Sequence, residues 1–270
     1  MKIVVCVKQV PGTSDAKIDP DTKRIIREGI KSIMNPFDLY AVEEAVLLRE
    51  RFGGEVIAVS MGPERASAVI REALSIGADR GALLSDRAFG GSDTWATSYA
   101  LARAVDTIGG VDLVICGKQA VDGDTAQVGP GIAAHLGFSQ AAYAARVVDV
   151  SKNSITVQRM NEDGYDVCEL SLPAVVTVVK GINQPRVPSL RGVIAARAAD
   201  VPVWKPADIN ADVSRIGLDA SPTRVVRTAP PEPRAGRTER VEGSPGECAA
   251  RLIELLNARE LIQGVHSSCG

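Results

Sequence analysis

Val111-Asp112-Leu113-Val114-Ile115-Cys116 runs directly into Gly117-Lys118-Gln119-Ala120-Val121-Asp122-Gly123-Asp124-Thr125-Ala126-Gln127-Val128-Gly129-Pro130, and an apolar-periodic segment with Ile132, Ala133 and Leu136 follows. A short β-rich run, a turn of small and hydrogen-bonding residues, then a helix: this unit offers free backbone N–H groups to a phosphate. The turn matches neither common phosphate loop. Its glycines lack G-x-G-x-x-G spacing, and Gly117-Lys118 is followed by Gln119 where a P-loop requires Ser or Thr. An ordinary nicotinamide dehydrogenase and a P-loop NTPase therefore fit poorly. Asp124 and Gln127 also have the spacing of a capping box, which satisfies orphan N–H groups without any ligand. Pro130 favours a later helix start near Gln127 or Gly129, because a proline beyond the first turn removes a helical hydrogen bond. That start leaves Asp122 to Ala126 as an exposed polar loop on a rigid scaffold, where binding sites concentrate.

Outward from this unit, strands are predicted at Lys2 to Val7, Glu55 to Ser60, Arg80 to Leu84, Asp112 to Cys116, Tyr143 to Val150, Ser154 to Met160 and Ala174 to Val179. Helical spacing alternates with the first four. Leu39, Val42, Ala45 and Val46 share one face of Asp38 to Phe52, and Ala66, Val69, Ile70, Ala73 and Leu74 one face of Pro63 to Ile76, with Gly77 where a C-cap belongs. Continuous apolar strands alternating with amphipathic helices imply a parallel sheet covered on both faces, with ligands beyond the carboxyl ends of its strands. Lys8, Ser60-Met61-Gly62-Pro63 and Gly117-Lys118-Gln119 all fall at such ends. Asn153, or Asn161 to Gly164, can turn between β-like runs and suggests an antiparallel hairpin at the sheet edge. The fold class is therefore α/β: a Rossmann-like, doubly wound, mainly parallel sheet with an edge hairpin.

A chain of 270 residues with 45% hydrophobic content can bury one substantial core and carry an appendage. The appendage begins near Asp200, where Pro202, Pro206, Pro222, Pro230, Pro231, Pro233 and Pro245 interrupt every pattern. The expected organisation is an α/β domain over 1–200, an extended proline-rich arm over 201–245 and a helix with its tail over 246–270. In that helix Ala249, Leu252, Ile253, Leu255 and Leu256 share a face that must be buried against something, its own domain or a partner subunit. A net charge of −2, from 31 basic and 33 acidic residues, excludes a nucleic-acid footprint. Met1-Lys2 leads straight into a β-like run with no signal-peptide core, and no apolar stretch approaches the ~20 residues that span a bilayer, so no membrane insertion and a cytoplasmic location are expected. Five widely spaced cysteines without a C-x-x-C pair suggest reduced thiols and no metal, with Cys6 and Cys116 as small core residues. The two histidines, His135 and His266, stand near no nucleophile in a catalytic arrangement.

Gly117 to Pro130 resembles the nucleotide loop of the electron transfer flavoprotein β-subunit family, which includes the FixA proteins. Further matching segments follow in family order: Val5-Cys6-Val7-Lys8, Met34-Asn35-Pro36-Phe37, Ala41-Val42-Glu43-Glu44-Ala45, Ala58-Val59-Ser60-Met61-Gly62-Pro63, Ala73 to Arg80 and Leu172-Pro173-Ala174-Val175-Val176-Thr177. They cover about residues 1 to 200. The resemblance implies one half of an αβ heterodimer that carries electrons on flavin, with the C-terminal arm wrapping the α-subunit. In the family's respiratory branch the β-subunit holds a structural AMP; in a bifurcating branch it holds FAD that accepts a hydride from NADH and splits the electron pair. Asp122-Gly123-Asp124-Thr125-Ala126-Gln127 resembles the bifurcating type, as does Phe89-Gly90-Gly91-Ser92-Asp93-Thr94. Two glycines there permit close backbone approach, and Ser92 can cap the helix carrying Ala96, Tyr99, Ala100 and Arg103, whose N-terminus would then meet a diphosphate. The bland reading is a loop that merely ends in a helix cap.

Carried over residue by residue, the resemblance places the nucleotide against Cys6, Asn35, Pro36, Phe37, Met61 and the loop from Cys116 to Gln127, extending to Val128 and Gly129. Lys8, Ser60, Gly62 and Gly90 to Thr94 border the same edge. Asn35 can donate and accept at a ribose or adenine edge, or simply open the turn before its helix. Met61 can pack on a planar ring, and Thr125 and Gln127 can reach phosphate oxygens. Lys8 and Lys118 can offset phosphate charge, whereas Asp122 and Asp124 suit ribose hydroxyls or nearby N–H groups. No protein acid, base or nucleophile is needed, because flavin carries the redox chemistry. Gln184 to Leu190 resembles the family's recognition loop, with Leu190 as the anchor for an acyl-CoA dehydrogenase; alternatively Leu190 packs as core. The resemblance also allows ferredoxin or flavodoxin as a low-potential acceptor. A stand-alone adenine-nucleotide domain is the rival class. Gly90-Gly91-Ser92-Asp93 is superficially similar to a pyrophosphatase loop, but it follows the third strand and not the first.

Overall fold

The computed structural model describes residues 1–12, 32–226 and 239–262. Its elements are, in order, β1 (Lys2–Cys6), β2 (Gln9–Pro11), β3 (Ser32–Met34), α1 (Pro36–Phe52), β4 (Glu55–Met61), α2 (Ser67–Ile76), β5 (Arg80–Leu84), α3 (Thr94–Ile108), β6 (Leu113–Gly117), α4 (Val128–Leu136), β7 (Ser139–Val150), β8 (Ser154–Met160), β9 (Tyr165–Ser171), β10 (Ala174–Val178), α5 (Leu190–Ala198), β11 (Val203–Trp204) and α6 (Pro245–Ala258). Nine strands form one sheet in the order β11-β5-β4-β1-β6-β10-β7-β8-β9. All neighbours are parallel except β7-β8 and β8-β9. Strand order reverses at β1, which pairs with β4 on one side and β6 on the other. A reversal of this kind opens a crevice beyond the carboxyl ends of the strands.

Alternate side chains of each parallel strand enter different cores, because the pleat has a period of two. Ile3 and Val5 pack with α1 and α2, while Val4 and Cys6 pack with α3 and α4. Burial on both sides is why these strands read as unbroken apolar runs. At the edge, both candidate turns are used. Ser151 to Ser154 joins β7 to β8, and Asn161 to Gly164 joins β8 to β9, so the expected hairpin is a three-stranded meander. β2 and β3 form a separate antiparallel pair.

Two compact units are resolved, Met1–Thr228 and Ala229–Gly270. The first thus takes in residues expected to belong to an extended arm. Leu83 N–H donates to Pro202 C=O and Ser85 N–H to Trp204 C=O, seating β11 on β5. Ile209 and Ile216 are buried against α3 and β6. Prolines are tolerated here because only the carbonyl of Pro202 is asked to bond, at the sheet edge. The apolar anchors among the prolines are spaced by turns, so periodicity does not reveal them. In the second unit α6 has a capping box, with Ser244 and Glu247 bonding reciprocally, and Leu252 and Ile253 are exposed. Pro230, Pro231, Pro233, His266 and Cys269 lie outside the described residues.

Candidate functional site

The carboxyl ends of β1, β4 and β6 converge at the reversal point. Beyond them, Asn35 is 1% exposed, and its amide joins three segments. Its Nδ2 donates to Asp38 Oδ1 (2.8 Å) and to Gln119 C=O (2.8 Å), and its Oδ1 accepts from Val121 N–H (3.1 Å). Both Nδ2 protons are thus spent on holding the loop, and Oδ1 gives one of its two lone pairs to it. Pro36 opens α1 at a position where its missing N–H costs nothing. Asp38, buried behind Asn35, also accepts from Lys8 N–H at 2.7 Å. Burial pushes its carboxyl up to about 7 against the hydrogen bonds from Asn35, Lys8 and Gly117. A side chain at Gly117 would collide with the Asp38 carboxylate and Phe37, so the loop leaves β6 by hugging the start of α1.

Further along, Asp122 pairs with Lys8 (2.7 Å) and Asp124 accepts from Gln119. Asp124 and Ala126 are both left-handed (φ 54°). Asp122 to Thr125 are exposed, and α4 starts at Val128, so the later of the two helix starts is the one adopted. No side chain caps α4. That leaves the first N–H groups of α4, at the positive end of the helix dipole, without a side-chain partner, an arrangement that suits a phosphate. Gly129 lies against Thr177 Cγ2 so closely that a Cβ there would overlap it. Thr177 Oγ1 accepts from Tyr143 N–H (3.0 Å); Tyr143 is itself left-handed (φ 63°), and Lys118 Nζ stands 5.1 Å from its ring centroid.

The turn at Gly90 to Thr94 reaches this loop through Thr94 Oγ1, which donates to Gln127 Oε1 at 3.1 Å. Asp93, not Ser92, caps α3, its Oδ1 accepting from Trp95 and Ala96 N–H groups. Ser92 accepts instead from Gly217 N–H (2.9 Å), while Asp93 Oδ2 accepts from the N–H and hydroxyl of Thr223. The C-terminal segment straps the turn in place, a partner that no local pattern reveals. The α3 N-terminus is therefore already supplied with an anion, in contrast to α4. Ser60 Oγ, at the end of β4, is buried and has no hydrogen-bond partner, and Met61 and Gly62 follow it half-buried. Cys6 and Cys116 are cross-strand neighbours below the edge, and the Cys6 thiol and burial push the Cys116 thiol up, away from a reactive thiolate.

Leu190 lies apart from this edge, at the first position of α5, and is 77% exposed, so the core reading does not hold. Arg186 ties its loop to α1, with Nε and Nη2 on Glu43 (2.9 Å each at closest) and Nη1 and Nη2 on Glu50 (2.6 and 3.0 Å). Asn183 Nδ2 adds a bond to Glu44. Glu43 and Glu44 belong to the Ala41 to Ala45 motif, and their work as tethers becomes visible only when distant segments meet.

A Rossmann-like sheet with an uncapped helix start at its switch point is the architecture shared by nucleotide-binding α/β folds. Residues 22–209 match the model of the electron transfer flavoprotein domain, and the chain belongs to this family, on its β-subunit/FixA side. It is 46% identical to the electron transfer flavoprotein subunit beta of Thermoanaerobacterium thermosaccharolyticum, over 97% of this chain and 100% of that protein. It is 46% identical to the caffeyl-CoA reductase-Etf complex subunit CarD of Acetobacterium woodii, with the same coverage, and 44% identical to protein FixA of Azorhizobium caulinodans, over 96% of this chain and 95% of that one. Among the described residues no helix is long and apolar enough to cross a membrane.

Proposed function

We propose that this subunit holds FAD along the β1/β4/β6 edge, accepts a hydride from NADH, and passes electrons both to an α-subunit flavin with an acyl-CoA dehydrogenase-type partner and to a low-potential ferredoxin or flavodoxin in the cytoplasm. The observation that carries this is the Thr94–Gln127 bond, which joins the Gly90 to Thr94 turn to the Gly117 to Gly129 loop. Fit is supported by the partnerless buried Ser60 hydroxyl and the uncapped α4. In this arrangement α4 and Lys118 face phosphate charge, Lys8 exchanges Asp122 for it, and Asn35 and Asp38 hold the loop without touching the ligand. When bound, flavin supplies two-electron acceptance and one-electron release; the chain supplies position and electrostatics. Similarity to a protein named as a subunit of a caffeyl-CoA reductase complex supports a multi-enzyme setting.

One observation favours a structural AMP: Asp93 already occupies the α3 N-terminus, where a second phosphate would otherwise sit. The measurement that separates the two is nucleotide stoichiometry of the copurified αβ complex, by absorbance and chromatography after denaturation. Two FAD per heterodimer, with NADH bleaching the flavin absorbance, is the expected result; one FAD with one AMP overturns it.

A further inference from the structure

Away from the proposed nucleotide edge, α3, α4 and the turn preceding Ile216 line an open-sided cavity of about 320 Å3. Its lining is rich in hydrogen-bond donors. Arg215 Cζ stands over Tyr99, 4.0 Å from the ring centroid, and Arg215 takes part in none of the close ion pairs among the described residues. Asp212, the carboxylate nearest to it in sequence, is committed to the N–H and hydroxyl of Ser214 at 2.9 and 2.7 Å. Arg103 spends its charge on Asp106 at 2.7 Å. The Tyr99 hydroxyl accepts from Asp212 N–H at 3.0 Å, which leaves its own proton to give. Asn210 is held left-handed (φ 53°) at the rim. His135 packs on Trp95 and Tyr99, with centroids 4.7 and 5.6 Å away, and its Nε2 is buried with no hydrogen-bond partner.

A buried polar atom without a partner is costly, and the lining itself carries Arg103 and Arg215 against the single carboxylate of Asp106, with Asp212 acting on Arg215 from beside it. We propose that this cavity binds a small oxyanion, a carboxylate or phosphate group gripped by Arg215, with Tyr99 and Asn210 donating beside it and His135 closing the inner wall. The volume lies at the small end of the range for ligand pockets, which suits a ligand of modest size. A guanidinium over an aromatic ring keeps the fork of N–H donors that matches two oxygens. Charged or titratable groups facing His135 are Arg215, Arg103, Asp106 and Tyr99. Burial first, then Arg215, hold the imidazole below its usual range. An anion that offsets Arg215 relieves the second effect and raises it.

The chain has two histidines, so His266→Ala leaves His135 as the only imidazole in the full-length protein. Its ring resonances would be followed by NMR against pH, with inorganic phosphate or malonate added at constant ionic strength set by chloride. Saturable shifts are expected, with a Kd of about 1 mM or tighter and the His135 midpoint moved upward. Arg215→Gln should weaken binding at least about tenfold, which is about 1.4 kcal/mol, and Arg215→Lys, which keeps the charge without the fork, by less. Response to phosphate alone, or to malonate alone, supports the site and names the ligand class. Absence of saturation with both anions, or an unchanged response in a folded Arg215→Gln protein, overturns it. Should that variant fail to fold, the Lys variant and the wild-type midpoint still decide.

Discussion

Arg186→Ala should damage this protein far more than the exposure of the arginine suggests. The side chain of Glu43 is 4% exposed and takes both of its oxygens to the guanidinium. Truncation leaves that carboxylate with the Arg186 backbone N–H alone, at 3.1 Å. Removing one partner of a buried ion pair costs about 3–5 kcal/mol, because the remaining charge stays desolvated. Local release of the loop before Leu190 would hydrate Glu43 without unfolding the sheet, and this caps the global cost at about 2–3 kcal/mol. Glu50 is different: its side chain is 45% exposed, and Glu50→Ala should cost about 0–1 kcal/mol. The double variant Arg186→Met with Glu43→Gln, which removes the stranded charge, should recover most of the loss, giving a coupling of about 1–3 kcal/mol. Urea unfolding of the full chain, followed by far-UV circular dichroism, measures these three variants against wild type, with single Arg186→Met and Glu43→Gln completing the cycle. Arg186→Ala within about 0.5 kcal/mol of wild type, or no costlier than Glu50→Ala, would refute the reasoning.

Leu190→Ala removes an exposed side chain and should leave stability within about 0.5 kcal/mol and cofactor content unchanged, while slowing electron transfer to an acyl-CoA dehydrogenase-type partner; an unchanged rate in stopped-flow assays counts against docking. Asn35→Ala deletes three bonds to Asp38, Gln119 and Val121, so it should cost about 1–3 kcal/mol and weaken adenine-nucleotide binding by calorimetry; full binding would show the loop to be held otherwise. Asp38 titrates at about 7 when folded and at 3.8 in its ordinary state, so the folded chain holds the extra proton between those values. Its contribution to stability is present at low pH, falls by about 1.4 kcal/mol per unit as pH rises through that window, and is flat above it. Asp38→Asn, compared by urea unfolding across pH 4 to 8, should remove that slope, and an identical slope would assign it to another group.

The parallel core is legible in the sequence because Ile3 to Cys6, Val56 to Val59 and Leu113 to Cys116 are buried on both faces and show it as unbroken apolar runs. The loop after Cys116 is legible for a different reason, since small and polar residues after a strand have few other uses. Asp38 is not: an acid in the first turn of a helix reads as a partner for the dipole, and its burial depends on Asn35 and Gly117 arriving from elsewhere. The same holds for β11, Ile209 and Ile216, whose anchors follow turns and carry no period. Asp93 and Ser92 exchange their expected parts because Gly217 and Thr223, more than a hundred residues away, take up the serine hydroxyl and the second carboxylate oxygen.

That last arrangement also sets where a mechanical load would go. Tension on the chain at Thr223 meets two bonds donated by Thr223 to Asp93 and one donated by Asp93 N–H to Ser221 Oγ. Asp93 is at once the first peg of α3 and the neighbour of the Thr94–Gln127 junction. A pull from the C-terminal side therefore arrives at the turn bordering the proposed flavin edge, and the nine strands behind it, bonded side to side, act as the fixed anvil.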